Sequence, residues 1–272
     1  MKHVDKNKFG PWAIVTGASS GIGKEFARQL AASGIHVVLV ARRLPLLEAL
    51  GQELAQTYGV QFRAVQADLS QPDFMAAMQQ ATQDLEIGLL VSNAGAGNPG
   101  AFLDIAEQRL LDIIQLNVVA HMRLVHFYGR KLIERGRGGI ILVSAMGALD
   151  GIPYMANDAA TKSYVISLGQ GLHVEFEKAG IHTTVVLPGP TDTPVIEEFG
   201  LDIDNLPMKP MSVEQCVDEG LDALTANKAT HLTGRLNRII FGLVPAAITR
   251  KVNSRMLSQG LNKDKQPRAH LA

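Results

Sequence analysis

WAIVTGASSGIGKEFARQLAASG, Trp12 to Gly34, is the stretch whose reading decides the fold. WAIVTG (12–17) is an apolar run closed by a turn residue, the pattern of a buried strand. GKEFARQLAASG (23–34) has the period of a helix. Between them Gly17, Gly21 and Gly23 punctuate the turn TGASSGIG (16–23). Glycine accepts the left-handed conformations of a tight turn and lets a ligand approach the main chain closely. The helix that follows offers unpaired N–H groups and the positive end of its dipole, which favour an anion. Glycine-rich turns are common, but one placed between a strand and a helix near the N-terminus points to a bound pyrophosphate.

Working outward, the same alternation repeats. HVVLVA (36–41), QFRAVQADLS (61–70), IGLLVSNAG (87–95), GGIILVSA (138–145) and IHTTVVLPGP (181–190) read as strands. Longer segments of helical pattern separate them, including two helices at about 105–116 and 118–136 and another at 156–178. Repeated β-helix-β units with V/I/L-rich strands mean a parallel sheet buried on both faces, with right-handed crossovers. The expected fold is α/β, a doubly wound Rossmann-type parallel sheet with helices on both faces, in a single domain over 1–272. The polar tail NKDKQPRAHLA (262–272) is expected to fray.

The bulk numbers agree with a globular α/β chain. Of 272 residues, 46% are hydrophobic, enough to fill both faces of a sheet. Lys+Arg and Asp+Glu are both 26, so no global field favours a nucleic-acid partner. The one cysteine, Cys216, cannot form an internal disulfide, and its helical setting SVEQCVDEG does not suggest a reactive thiol. No secretory leader is legible in MKHVDKNKFGPW, and no run approaches the roughly 18 apolar residues of a membrane span. A cytoplasmic protein is the expectation. No His/Cys/Asp cluster has metal-ligand spacing, and no metal is expected.

Ligands of doubly wound sheets lie outside the carboxyl ends of the strands. At the end of the second strand, VVLVARR (37–43), an acidic residue would accept both ribose hydroxyls of NAD and repel a 2′-phosphate. Ala41 stands there instead, followed by Arg42 and Arg43. A guanidinium fork suits a phosphate, and Ser19 can add a hydroxyl. These residues point to NADP(H).

Five motifs in register carry a resemblance. TGxxxGxG at 16–23, Asp68 in ADLS (67–70), NAG at 93–95, Asn117 in LNVVA (116–120) and PGPTDT at 188–193 resemble the short-chain dehydrogenase/reductase family, over about residues 12–195. The resemblance implies that Gly17, Ser19, Ser20, Gly21, Ile22 and Gly23 form the turn at the cofactor. It implies that Asp68 and Leu69 lie by the adenine and that Asn93, Ala94 and Gly95 line the cofactor. Pro188, Gly189, Thr191 and Thr193 then flank the nicotinamide.

It also implies four chemical roles: a Tyr that gives or takes the proton, a Lys four residues later, a Ser at the substrate oxygen and an Asn in a water relay. The segment reads SAMGALDGIPYMANDAATKSY (144–164). Lys162 and Asn117 are present. Asp158 stands four residues before Lys162, and Ala145 falls where the serine belongs. Ser144 is one place early and points to the other side of the strand. Three readings of Asp158 stay open. It is a replacement acid or base, although its carboxyl reaches roughly 3 Å less far than a phenol. Or it pairs with Lys162 at i,i+4. Or another hydroxyl substitutes, with Tyr154 eight residues before Lys162 and Tyr164 facing away.

The expected function is NADP(H)-dependent hydride transfer to or from a small or medium apolar carbonyl or alcohol by an atypical proton path. The alternatives are a catalytically impaired cofactor-binding protein and a non-redox lyase or isomerase using Asp158. The resemblance places the substrate lid in about 195–230. From His231 onward eight Lys/Arg face one acid, Asp264, around the apolar run IIFGLVPAAI (239–248). This segment is expected to pack on a subunit neighbour or over an apolar substrate, and a homo-oligomer is expected. Contact with a membrane surface is the less favoured alternative. His121, one turn after Asn117, reads as a structural histidine.

Overall fold

Seven strands form one parallel sheet in the computed structural model, which describes residues 4–199 and 209–264. They are β1 (Trp12–Thr16), β2 (His36–Ala41), β3 (Phe62–Gln66), β4 (Ile87–Ser92), β5 (Gly138–Val143), β6 (Ile181–Leu187) and β7 (Thr230–Leu232). Their order across the sheet is β3-β2-β1-β4-β5-β6-β7. Six of them are the expected strands. The seventh, THL, was not foreseen, because three half-buried residues at a sheet edge carry neither an apolar run nor an alternation.

Side chains alternate across the sheet and feed two cores. On one face Ile14, Val38, Val40 and Leu90 meet Phe74 and Met78 of α4 (Phe74–Thr82), Leu124 and Tyr128 of α6 (Ala120–Arg135), and Val165 of α7 (Ala156–Glu177). On the other, Ala13, Val15, Leu39 and Val91 meet Phe26 and Leu30 of α2 (Gly21–Ala32), Leu47 and Leu54 of α3 (Leu44–Tyr58), and Leu221 of α9 (Val213–Thr225). The short α1 (Lys6–Phe9) adds Phe9 to this second core. Covering both faces explains why β1, β4 and β5 are buried at every position.

The two helices expected at 105–116 and 118–136 form one continuous rod. α5 (Glu107–Ile114) runs through a π turn at Gln115–Val119 directly into α6. The Ala120 N–H bonds the Gln115 carbonyl, five residues back, so the helix widens at Asn117 instead of breaking. By length and mean hydropathy alone the span Glu107–Arg135 could cross a bilayer, although polar residues such as Asp112, Asn117 and Arg123 interrupt it and it contains no long unbroken apolar run. It is a covering helix, with α6 packed along β4 and β5.

α9 also departs from expectation. It packs on α2 and β6 and buries Cys216, Val217, Leu221 and Leu224. The lid expected over 195–230 therefore excludes α9, whose apolar face is committed to the sheet. α8 (Pro194–Glu198) lies at the front of the segment, and residues 200–208 fall outside the described ones. Beyond β7, α10 (Arg235–Leu243) and α11 (Ala246–Asp264) are separated at Pro245, which has no N–H to continue a helix. Leu236, Ile239, Leu243, Ile248 and Val252 are exposed on this pair, whereas Leu257 is buried.

The strand order reverses between β1 and β4, and there the two carboxyl ends are tied together. The wholly buried Thr16 accepts the N–H groups of Asn93 and Ala94 on its hydroxyl, each at 2.9 Å. Asn93 Nδ2 returns a bond to the Thr16 carbonyl at 2.9 Å. Removing that hydroxyl orphans two main-chain donors, at about 1–3 kcal/mol each. Thr16→Val should thus destabilise the fold by about 2–6 kcal/mol in urea unfolding, and Thr16→Ser by far less. Equal effects of the two changes would contradict this role.

Candidate cofactor and active site

The turn after β1 is built around its glycines. Gly17 and Gly21 adopt φ of +69° and +52°, in the left-handed region. A Cβ on Gly23 would stand 2.3 Å from the Gly17 carbonyl oxygen and 2.6 Å from Asn93 Nδ2, so no larger residue fits beneath the β1–β4 tie. Ser20 is the N-cap of α2 but makes no side-chain cap bond, which leaves the first N–H groups of the helix open to an anion. Ile22, in the first helical turn, packs against the second core.

At the end of β2 the two arginines part. Arg43 Nη2 donates to Ser19 Oγ at 2.9 Å and Ser20 Oγ at 3.3 Å, so its guanidinium lies over the glycine turn. Arg42 is exposed, and its carbonyl accepts from Gln66 Nε2 at 3.0 Å. The arginine gathered with the serines is thus Arg43. Beyond β3, Asp68 Oδ1 accepts the Ser70 N–H at 3.0 Å and the Ser70 hydroxyl at 2.7 Å, closing a local turn. Leu69 beside it is buried.

The Asn93–Ala94–Gly95 turn is held from below by His121, a buried residue of α6. The Ala94 carbonyl lies 3.0 Å from Nε2, and a carbonyl only accepts, so Nε2 carries the proton. Nδ1 then accepts the Ser92 hydroxyl at 2.9 Å. Burial, aided by the charge of Lys162, pulls the His121 pKa down to about 3, so the ring stays neutral.

Gly95 opens the centre of the site. A Cβ there would lie 2.8 Å from Lys162 Nζ and 3.2 Å from Asn117 Oδ1. Asn117, in the π turn, accepts the Ala96 N–H at 3.1 Å. Its Nδ2 donates to the Ala96 carbonyl at 2.9 Å and to Thr161 Oγ1 at 3.0 Å. Its side chain therefore fixes the loop after β4 against α7.

Lys162 and Asp158 both lie on α7, yet they do not form the i,i+4 ion pair that is one of the three readings of Asp158. Lys162 Nζ donates to the Val143 carbonyl at 3.2 Å. Asp158 Oδ2 accepts the Asn98 N–H at 2.9 Å. Two main-chain groups from other elements have claimed the two ends. Burial lowers the Lys162 pKa to about 8 against the opposing pull of Asp158. Burial raises that of Asp158, resisted by the Asn98 N–H and the charges of Arg109 and Lys162.

Around them the hydroxyls are sorted. Ser144 Oγ donates to the Lys162 carbonyl at 2.8 Å, spending itself on α7, while Ala145 offers a methyl. Tyr164 is exposed. Tyr154 adopts a φ of +64° and its carbonyl accepts the Gly100 N–H at 2.8 Å. It lines a small cavity with Asp158, Asn98, Phe102, Ile105 and Met155. The Phe199 ring covers Gly97, where a Cβ would come within 2.5 Å of it.

The Pro188–Thr193 loop closes the crevice from the far side. The Pro188 carbonyl accepts the Met146 N–H at 2.9 Å, and Thr191 Oγ1 donates to the Gly189 carbonyl at 2.9 Å. Thr193 reaches across the glycine turn, its methyl 3.3 Å from where a Cβ on Gly21 would be. Cys216 is buried, and burial pushes its thiol up to about 11. Among the described residues no group of three His, Cys, Asp or Glu could hold a metal. Thr16, Asn98 and Phe199 were not singled out from the sequence. Only Thr16 had a signal there, as the residue opening the glycine motif.

The chain is similar to known proteins over most of its length. A family model described as short chain dehydrogenase matches residues 11–203. A 7beta-hydroxysteroid dehydrogenase of Collinsella aerofaciens is 30% identical over 242 residues, covering 86% of this chain and 89% of that one. The human "inactive hydroxysteroid dehydrogenase-like protein 1" is 31% identical over 184 residues, 66% of this chain and 56% of that one. A short-chain dehydrogenase from Sphingobium yanoikuyae solved in complex with NADPH superposes with a TM-score of 0.77 at 32% identity, covering 96% of this chain and 98% of that one. The family model spans well over half of the chain, and the chain belongs to the short-chain dehydrogenase family.

Proposed function

We propose that the chain is an NADP(H)-dependent oxidoreductase that moves a hydride to or from a small or medium apolar carbonyl or alcohol, with Asp158 in the position of the usual phenol and Ala145 in that of the usual serine. The observation that carries the cofactor choice is the donor set at the end of β2: Arg43 bonded to Ser19 and Ser20, with Ala41 where a carboxylate would repel a phosphate. The NADPH-bound relative supports it. The crevice fits a dinucleotide, since Gly17, Gly21, Gly23 and Gly95 leave main chain and Lys162 Nζ uncovered where any Cβ would intrude. When bound, the nicotinamide supplies or accepts the hydride.

The chain's own residues do the rest. Lys162 holds the cofactor ribose with the donors that Val143 leaves unused, an ammonium having three. Asp158, anchored through Oδ2 to Asn98, lines the small cavity and holds a proton more readily than an exposed carboxylate. Phe102, Ile105 and Met155 give the small cavity beside Asp158 apolar walls, which suit an apolar group next to a carbonyl.

One observation favours a second reading. The missing phenol and serine, with a relative named as inactive, fit a cofactor-binding protein that has lost carbonyl chemistry.

Calorimetry tests the cofactor. NADPH should bind more tightly than NADH, and Arg43→Ala should weaken NADPH by about 1–3 kcal/mol, the size of a charged hydrogen bond, while leaving NADH nearly unchanged. Arg42→Ala should do less, and equal affinities in the parent would sink the assignment. Single-turnover oxidation of NADPH with a panel of apolar ketones tests the proton path. Reduction requires the proton on Asp158, so its rate should fall as pH rises through that raised pKa, and oxidation should show the reverse. Asp158→Asn should remove this limb and cost about 10²–10⁴ in rate. No change in Asp158→Asn, with gain of ketone reduction in Ala145→Ser/Asp158→Tyr, would favour the second reading.

A further inference from the structure

The first turn of α10 is wedged against the loop that closes the crevice. Asn237 is 6% exposed, and its amide occupies a slot between two glycines. A Cβ on Gly189 would stand 2.1 Å from Asn237 Nδ2, and one on Gly234 2.6 Å from it. The same Nδ2 donates to the Thr233 carbonyl at 2.9 Å. Gly234 turns the chain with a φ of +83°, which brings α10 back over the loop.

Both sides of this wedge are fixed. On the α10 side, Glu219 Oε2 accepts Arg238 Nη1 at 2.7 Å, the Gly234 N–H at 3.0 Å and His231 Nε2 at 3.0 Å. Burial pushes the Glu219 carboxyl up, but these bonds and one from Gln215 outweigh it and hold it at about 2. It is an anion throughout the neutral range and pins α9, β7 and α10 together. On the loop side, Met211 N–H bonds the Pro190 carbonyl and the Asp192 N–H bonds the Met211 carbonyl, both at 2.9 Å. Thr233 Oγ1 donates to Met211 Sδ at 3.3 Å, so the turn before α10 grips the same strap. From Gly189 the contact continues through Thr191 to Thr193 and the glycine turn at Gly21.

We propose that Asn237 is a positioning residue for the Pro188–Thr193 loop, through which the C-terminal helices set how the nicotinamide half of the cofactor is held. The inference rests on the reading that this loop flanks the nicotinamide. The adenosine half would be gathered by Arg43, Ser19 and Ser20, none of which is among the residues that meet Asn237 in its slot. The wedge therefore acts first on the half of the ligand that the Pro188–Thr193 loop flanks.

Two ligands separate the halves: NADPH, and adenosine 2′,5′-bisphosphate, which carries the phosphate end alone. In Asn237→Ala, NADPH affinity should fall about threefold to thirtyfold, the usual size of coupling through a packed contact. Adenosine 2′,5′-bisphosphate should bind as in the parent. The emission change of the reduced nicotinamide on binding should shrink, reporting a looser ring. Gly189→Ala perturbs the same slot from the loop side and should give the same selective loss, should the first variant fold poorly. Equal losses for both ligands would mark Asn237 as structural support and overturn the proposal, as would unchanged NADPH binding and emission. A parent that binds neither ligand would overturn the cofactor reading itself, and this inference with it.

Discussion

Three hydrogen bonds between Thr16 and Asn93–Ala94 hold the rest of the site in place. In a parallel sheet each strand ends with main-chain groups that the next strand no longer satisfies. At β1 and β4 those groups satisfy one another through a threonine hydroxyl and an asparagine amide. The tie consumes the polar groups at the crevice floor and fixes the two strand ends at one height. Gly23 must then pass close under Asn93, which is why α2 starts where it does and aims its amides into the crevice. His121, uncharged, completes the support by holding the Ala94 carbonyl from the other face. With Asn93 and Ala94 immobilised on both sides, Gly95 presents bare main chain to Lys162.

The second constraint is electrostatic. A cation and a carboxylate one helical turn apart would ordinarily close on each other. A closed pair would neutralise both and leave neither able to act on a ligand. Here Val143 and Asn98 hold the ends apart with main-chain bonds, so each charge is stabilised by dipoles and stays available. The cost is visible in the opposite shifts of the two groups, Lys162 down and Asp158 up, both led by burial. Perturbed pairs of this kind gather at functional sites, where solvation has been given up for reactivity.

Most of the sheet was legible because its strands are fully buried and therefore continuous in V, I and L. What was not legible shares one physical cause. β7 is three residues long and half buried, so no pattern marks it. The π turn at Asn117 leaves the helical period nearly intact on either side, and only the ladder reveals it. The partners of Asp158 and Lys162 are main-chain groups 60 and 19 residues away, which no local spacing encodes. Which of Arg42 and Arg43 covers the serines depends on how the chain bends into α3. The glycines of the turn were legible because close approach of backbone demands them, whereas the NAG turn, Asn117 and Lys162 were legible only through the resemblance to the family's motifs.

On the proposed reading, a carboxyl in place of a phenol would change where a substrate must sit. From the same Cα it reaches roughly 3 Å less far. Asn98 further restrains it by holding one oxygen. A substrate oxygen would have to come correspondingly closer to α7 or meet Asp158 through a water. Ala145 bears on this directly, because a methyl presents no hydroxyl to hold that oxygen at the usual distance. The two departures from the family pattern are thus compatible with each other. If Asp158 carries the proton as proposed, one departure would draw the proton carrier toward the helix, and the other would leave out the group that keeps the substrate from following it.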